Sequence, residues 1–406
     1  MKRRLVILAA VLALAALLWV VRELYRPYRG YSGSQLVVIE PGTHATAVAG
    51  LMVASGVLAH RLPFLCRYWI GRPRHSLKAG DYLFDRPLRP VDVYRRLIQG
   101  DVYLHPVTIP EGSDRFDIGR ILQQRLGLNA AEFLRATEQT APIKDLDPQA
   151  PTLEGYLFPD TYRFARGVSA TNVVATMVAR FRRVLESKFR AELPPSSPRL
   201  HDLITLASLV EKETPEPSER PLVAGVFVRR LEKGMPLQCD PTVVYAAHLS
   251  HRPIGPITEG DLDFDSPYNT YRYAGLPPGP IANPGEASIR AALHPGAGQA
   301  LYFVSNNHGA HVFARTLAEH QRNVSRYRKG VAALRQNVGE KVAQSSPAGS
   351  AGAKRAATSR SANDGQGAKQ KADHSRLLPD AESRPHRKRG NPSDRARTPP
   401  ASRREP

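Results

Sequence analysis

The sequence is poor in cysteine, with two such residues, Cys66 and Cys239, in a chain of 406. Two thiols are too few for a disulfide framework or for a four-cysteine zinc site. We predict that both are unpaired small residues of the core. A single disulfide between them remains an alternative only if the body of the protein lies outside the cytoplasm, where disulfides persist.

Acidic residues are also scarce: 37 Asp and Glu stand against 57 Lys and Arg, a formal net charge of +20. Residues 331–406 hold 16 Lys and Arg and 7 Asp and Glu, a net of +9, which leaves +11 for residues 1–330. Such a charge suits an anionic partner, such as an acidic lipid surface, a wall polymer or nucleic acid. The sequence lacks a helix-turn-helix, zinc-finger or RNA-recognition pattern, so no nucleic-acid partner is expected.

Long apolar runs are absent except for one, at residues 5–21, which follows three basic residues. A membrane-spanning helix needs roughly 17–25 apolar residues, whereas the apolar core of a cleaved signal peptide has roughly 7–15. The run ends in bulky residues, and Trp19 and Tyr25 are typical of membrane interfaces. We therefore predict a retained membrane anchor over residues 1–25. A cleaved signal peptide is the alternative, and arginines at both ends indicate little about orientation.

The rest of the chain is predicted to be α+β, in four segments. Residues 26–35 are a linker, residues 36–100 a small α/β module, and residues 101–330 a mixed α/β body. Residues 331–406 have few large apolar side chains and are predicted to be a disordered basic tail. The strand–helix–helix–strand order expected in the module resembles a LysM module, which binds polymers containing N-acetylglucosamine. A generic small α/β scaffold explains that order equally well.

A candidate acid lies in residues 202–214, DLITLASLVEKET, where apolar residues recur at helical spacing. Glu211 follows small or apolar residues on one face of this predicted helix. A carboxyl group in such surroundings is partly desolvated, which favours its protonated form, as a general acid near neutral pH requires. An ordinary surface carboxylate is the alternative, and Glu213 and Glu216 are equally eligible on spacing alone.

Three further segments suit a binding cleft. Asp240 precedes Pro241, which favours an extended backbone and makes Asp240 a polar residue at a cleft rim, the start of a helix, or both. Residues 266–271, SPYNTY, place two tyrosines around an Asn-Thr pair, an arrangement that suits sugars. Residues 275–285 form a Pro- and Gly-rich loop, which is stiff and loses little entropy on binding. Packed tyrosines in a structured turn are the alternative.

Five motifs come in the order found in one protein family. They are LEGYLFPDTY at 153–162, ASLVEKET at 207–214, LQCDPTVVY at 237–245, SPYNTY at 266–271 and GLPPGPIANPG at 275–285. The segments IPEG at 109–112 and LYFV at 301–304 also resemble family segments. Several motifs in order are far more specific than one short pattern. Over roughly residues 36–330, the chain resembles the MltG/YceG-like family of endolytic peptidoglycan transglycosylases.

The resemblance implies a lytic transglycosylase at the inner (plasma) membrane, with a cytoplasmic start and one membrane anchor in residues 1–25 and an extracytoplasmic catalytic domain. It implies that Glu211, the first Glu of EKET, is the catalytic acid. The substrate-binding residues that it implies are Glu154, Gln238, Asp240, Asn269 and Tyr271. Peptidoglycan strands are the implied substrate and penicillin-binding proteins the implied partners, and neither a metal nor a cofactor is expected.

The implied reaction uses no water. The C6 hydroxyl of the muramyl residue attacks its own anomeric carbon and leaves a 1,6-anhydro end; because this nucleophile is tethered, its effective concentration is high. Glu211 then serves twice, as acid to the leaving oxygen and as base to the C6 hydroxyl. A muramidase that uses water is the nearest alternative and needs a second carboxylate, for which Asp240 is the candidate. A non-catalytic wall-binding scaffold is the alternative from another class.

Overall fold

The computed structural model describes residues 2–71, 76–193, 199–253, 255–307 and 309–345. Within them the chain is mixed α+β, as predicted. The helices are α1 (Lys2–Tyr25), α2 (Ala45–Ala54), α3 (Arg61–Gly71), α4 (Pro90–Gln99), α5 (Arg115–Leu126), α6 (Ala130–Thr137), α7 (Ala170–Val184), α8 (Arg199–Glu213), α9 (Arg220–Glu232), α10 (Asp240–Leu249), α11 (Glu259–Leu262), α12 (Glu286–Leu293) and α13 (Leu317–Ser345). The strands are β1 (Gln35–Ile39), β2 (Gly80–Phe84), β3 (His105–Thr108), β4 (Thr161–Phe164), β5 (Tyr302–Ser305) and β6 (His311–Ala314), paired as β1–β2, β3–β4 and β5–β6.

The segment from β1 to α4 is a small module with its own core. β1 runs antiparallel to β2, with Val37 opposite Tyr82, and both side chains are buried. They pack in one cluster with Met52 of α2 and Phe64 of α3. The predicted strand–helix–helix–strand order is therefore observed. Because generic scaffolds share this order, the LysM-like identity of the module stays a prediction.

Among the described helices, α1 alone is long and apolar enough to cross a membrane, by length and composition. None of its apolar window is buried by the rest of the chain. Its C-terminal end, however, packs on the module: the ring centroids of Trp19 and His60 lie 5.3 Å apart. The predicted linker continues this contact, because Tyr28 and Leu88 exchange two backbone hydrogen bonds. The helix therefore meets the module at a packed joint.

Asp81 of β2 ties the module to the body. It is 1% exposed, and its Oδ2 lies 2.7 Å from Nε2 of His105 and 3.1 Å from Nε of Arg166. Its backbone oxygen accepts a hydrogen bond from the N–H of Tyr103. Since a buried carboxylate is costly without partners, these contacts fix β3 and the segment after β4 against the module.

The body is organised around α8. This helix packs against α9, α10 and α12. Leu203, Leu206, Ala207 and Val210 are all buried, which confirms the apolar stripe predicted from their spacing. The residues between them, Ile204, Thr205, Ser208 and Leu209, are buried too, so the middle of α8 is enclosed on all sides, and Glu211 lies at its C-terminal end.

The C-terminal boundary differs from the predicted one. The sequence predicts disorder from residue 331, whereas α13 continues to Ser345. Residues 332–336, AALRQ, are good helix formers, which explains the continuation. The remainder of the predicted tail, residues 346–406, lies outside the described residues.

A buried cluster of three side chains fastens α8 to the core. Nδ1 of His201 lies 2.7 Å from Oδ2 of Asp147, which also accepts a hydrogen bond from the hydroxyl of Tyr156. The hydrogen bond to Asp147 raises the pKa of His201, against the opposing effect of burial. Burial acts to raise the pKa of Asp147, but the bonds from His201 and Tyr156 hold it below its ordinary value.

We expect His201→Gln to lower the free energy of unfolding by about 1–3 kcal/mol at about pH 5.5 and by less at about pH 8.5. A raised histidine pKa gives stability that is fully present below the unfolded value and is lost as pH rises through the folded value. Because the pKa of Asp147 is lowered, the stability that its ionised form contributes is lost only at pH values below its ordinary pKa of 3.8. Urea unfolding across this range measures the difference.

His294→Gln is the matched control, because His294 pairs with Glu192 while 61% exposed, and surface pairs contribute little. If His201→Gln costs the same at both pH values, the ionised pair is not what stabilises this part of α8.

Candidate active site

Glu211 stands in the last turn of α8, with its side chain 5% exposed. Its Oε1 lies 3.1 Å from Nη2 of Arg220, the first residue of α9. Its Oε2 accepts a 3.0 Å hydrogen bond from the backbone N–H of Gly285. Gly285 is the N-cap of α12, so the carboxylate lies at the positive end of that helix dipole. The predicted burial of this carboxyl group is confirmed, although its oxygens are paired rather than free.

A second carboxylate, Glu111, lies beside the first. The same Nη2 of Arg220 is 3.6 Å from Oε2 of Glu111, whose side chain is 50% exposed. Burial and the negative charge of Glu211 raise the pKa of Glu111, against the opposing effect of Arg220. Two carboxylates around one cation repel each other, and this repulsion is one cause of the raised pKa of Glu111.

Two glycines permit this close packing. Gly112 has a φ of +73°, and a Cβ there would lie 3.4 Å from Cγ of Glu211. A Cβ at Gly285 would lie 2.0 Å from Oε1 of Glu111, so any larger residue displaces that carboxylate. Nζ of Lys212 donates to the backbone oxygen of Gly112 at 3.2 Å. The IPEG segment and the end of the Pro- and Gly-rich loop therefore meet at Glu211.

Asp240 and Tyr271 form a separate centre with Glu213. The hydroxyl of Tyr271 donates to Oδ1 of Asp240 at 2.5 Å. Burial and the charge of Asp240 raise the pKa of Glu213 to about 8. Burial also raises the pKa of Asp240, against the effect of the Tyr271 hydroxyl. Positions two apart on a helix point about 200° apart, so Glu213 and Glu211 face different sides of α8.

Gln238 and Cys239 belong to this second centre. Gln238 has a φ of +52°, which is uncommon for a residue other than glycine, and its Oε1 accepts a 3.2 Å hydrogen bond from Nη1 of Arg230. Cys239 is buried and, like Cys66, is a free thiol, as predicted. Within the described residues, no hydrogen bond or ion pair joins this centre to Glu211. The predicted site residues are therefore divided between two acidic centres.

Glu154 lies in the interior, 2% exposed. Its Oε2 accepts hydrogen bonds from the N–H of Arg115 at 3.0 Å and from the hydroxyl of Tyr245 at 3.1 Å. Its Oε1 accepts one from Nδ2 of Asn283 at 2.7 Å, and burial raises its pKa to about 8. Asn283 stands two residues before Gly285, so Glu154 positions the loop that reaches Glu211. Its predicted contact with substrate stays a prediction.

Asn269 is fully buried as well. Its Nδ2 donates to the backbone oxygens of Leu262 and Phe264, and its Oδ1 accepts from the N–H of Tyr271. These bonds shape the loop that presents Tyr271 to Asp240. A direct contact of Asn269 with substrate also stays a prediction.

The described chain has cavities of about 730 Å³, between α5, α6 and the start of α7, and of about 660 Å³, between the module and Arg163. Both lie away from Glu211. The cluster of Glu111, Glu211 and Arg220 opens to the surface through the half-exposed Glu111. An open edge of this kind suits a long polymer that passes across it.

Glu111 and Arg220 are not among the predicted site residues. Glu111 lies in the IPEG segment, and the resemblance of that segment to the family was the available signal. No spacing rule indicates that Arg220 pairs with a carboxylate nine positions earlier, on the other side of a turn.

The YceG-like family model matches residues 37–326. The endolytic murein transglycosylase of Bacillus subtilis (strain 168) is 32% identical over 306 residues, which cover 71% of this chain and 83% of the relative. That of Streptococcus pneumoniae serotype 2 (strain D39) is 29% identical over 322 residues, covering 72% and 58%. The crystal structure of a YceG-like protein from Listeria monocytogenes aligns at 31% identity with a TM-score of 0.49, covering 72% of this chain and 99% of that one.

The matched residues include the module, all five motifs and both acidic centres. They amount to well over half of the chain and agree with the extent of the resemblance predicted from the motifs. The chain therefore belongs to the YceG-like family.

Proposed function

We propose that this chain is an endolytic murein transglycosylase. It cleaves the MurNAc–GlcNAc bond of nascent peptidoglycan, leaves 1,6-anhydro-muramyl ends and so ends glycan elongation. The observation that carries this proposal is the buried carboxylate of Glu211, held by a cation and a helix N-terminus beside a half-open surface. Curated relatives of the family are named for this activity.

In the proposed reaction, Glu211 gives its proton to the leaving glycosidic oxygen as the bond to the anomeric carbon breaks. The carboxylate that forms is stabilised by Arg220 and by the N–H of Gly285, contacts that already exist and need no rearrangement. Glu211 then takes the proton of the C6 hydroxyl as O6 bonds to the anomeric carbon. Protons balance over the cycle and no water is consumed.

Glu111 relays protons between water and Glu211 in this proposal. Its pKa is raised by burial and by the negative charge of Glu211, and its exposed half can exchange protons with water. Both carboxyl groups face the same guanidinium group of Arg220. A proton that Glu111 takes up from water can therefore pass to Glu211 when a strand arrives.

We assign Gln238, Asp240 and Tyr271 to binding the sugar strand. Asp240 is poorly suited to be the second carboxylate of a muramidase, because burial raises its pKa and because it pairs with Tyr271 rather than with Glu211. The acid that does lie beside Glu211 is Glu111.

The proposal places the body outside the cytoplasm, where peptidoglycan lies, with α1 spanning the inner (plasma) membrane once. The length and composition of α1 support this anchor. The LysM-like module then adds contacts to N-acetylglucosamine. The partnership with penicillin-binding proteins stays a prediction from the resemblance.

We expect Glu211→Gln to lower the rate of glycan cleavage about 10²–10⁴-fold, the usual contribution of a general acid, because an amide has no proton to give. Mass spectrometry of digested strands measures the products, since anhydro ends are lighter than hydrolysed ends by one water. Glu216→Gln is the matched control: Glu216 lies in the turn after α8 and accepts from Ser218, so activity persists. Hydrolysed ends from the wild type would favour the muramidase, and unchanged cleavage by Glu211→Gln would favour a scaffold.

We expect Glu111→Gln to keep the fold, to slow cleavage and to move the alkaline limb of the pH–rate profile to lower pH. The alkaline limb then no longer reflects the raised pKa of Glu111, because an amide at this position neither takes up nor releases a proton. Steady-state rates across pH measure the shift. Glu286→Gln is the control, because Glu286 pairs with Arg290 on the exposed side of α12. A pH–rate profile that falls in height without moving along the pH axis would show that Glu111 takes no part in proton transfer.

A further inference from the structure

One side of α3 carries an apolar face that no described element covers. Leu62, Trp69 and Ile70 are 46%, 51% and 78% exposed, and Cys66 between them is partly exposed. These positions follow the i, i+4, i+7, i+8 spacing of one helix side. The other side of α3 contributes Phe64 to the module core. A helix this apolar on its outer side is unusual unless something else covers it.

The position of α3 indicates what covers this apolar face. α3 begins one residue after His60, whose ring contacts Trp19 near the end of the apolar run of α1. Residues 5–21 of that run extend about 25 Å as a helix, close to the roughly 30 Å of a bilayer core. When α1 spans the membrane, Trp19 therefore lies at its outer boundary. Since α3 starts beside Trp19, it starts at the depth of the headgroups.

The charges around this joint suit a lipid surface. Arg22 and Arg26 at the end of α1 and Arg61 at the start of α3 are exposed. Basic residues close to a bilayer are attracted to anionic headgroups, by about 1 kcal/mol each. Trp and Ile beside arginines on a short helix are the composition of segments that lie in the membrane interface.

We propose that α3 is a membrane-docking helix. Leu62, Trp69 and Ile70 enter the boundary between headgroups and acyl chains of the leaflet from which α1 emerges, and the arginines contact the headgroups. The inference rests on the proposed spanning of α1 and goes beyond it, because it adds a second contact between the protein and the bilayer.

The two tryptophans of the chain permit a direct test. In the full-length protein, Trp19→Phe leaves Trp69 as the only indole, and Trp69→Phe leaves Trp19. Each variant is reconstituted in vesicles that contain anionic lipid and phospholipids brominated at a shallow or a deep acyl position, and indole fluorescence is recorded. We expect the fluorescence of both indoles to be strongly quenched, and that of Trp69 to be quenched more by shallow than by deep bromine.

The outcomes separate the two claims. If Trp19 is quenched and Trp69 emits as it does in water, α1 spans and the docking of α3 is wrong. If neither is quenched, the anchor itself is wrong, whereas the cleavage assay on soluble strands still tests the chemistry. If Trp69 is unquenched but emits as an indole shielded from water, and this shielded emission is lost when the protein is diluted with lipid, a second copy of the chain, rather than lipid, covers the face.

A second experiment places a charge on the apolar face of α3. In the Trp19→Phe background, Ile70→Asp is expected to reduce quenching of Trp69 at least twofold, because the exposed Asp disfavours insertion without disturbing the core. Val312→Asp, at an exposed apolar position of β6, is the matched control and leaves quenching unchanged. Equal quenching with and without Ile70→Asp would overturn the docking of α3.

Discussion

The active site of this protein depends on the burial of one carboxyl group, that of Glu211, between Arg220 and the first turn of α12. Burying a carboxylate is costly unless cations and N–H groups replace water, and here both come from distant elements. Arg220 begins α9, and Gly285 begins α12. The apolar core packs α8 closely against α9 and α12, and this packing keeps the partners of Glu211 in place, since a small displacement of either helix would leave the carboxyl group without a partner.

Two acidic centres at one end of α8 show how surroundings decide protonation. Glu213 is held among Cys239, Asp240 and Tyr271, and burial there favours the neutral acid. Glu211 lies two residues earlier and faces a guanidinium group and a helix N-terminus. The same type of side chain is therefore held as a neutral acid on one side of the helix, whereas on the other side it lies between a cation and a helix N-terminus.

The sequence predicts the features that depend on local periodicity. The buried stripe of α8, the element order of the module and the unpaired thiols are all observed. The contacts that complete the site join residues far apart in the chain: Lys212 meets Gly112, and Asn283 meets Glu154. Periodicity carries no information on such pairings, so the place of Glu111 and Arg220 and the deep burial of Glu154 and Asn269 required the structure. The motifs indicated which residues matter but not which of them face substrate.

The packed joint between α1 and the module has a consequence for the length of the product. Tyr28 and Leu88 hold the base of α1 to the module, and Asp81 holds the module to the body. Under the proposed spanning of α1, these contacts keep Glu211 at a fixed distance from the bilayer. In the proposed reaction, a glycan that grows outward from the membrane is then cut at a constant distance, so the height of the protein above the bilayer sets the length of the strand.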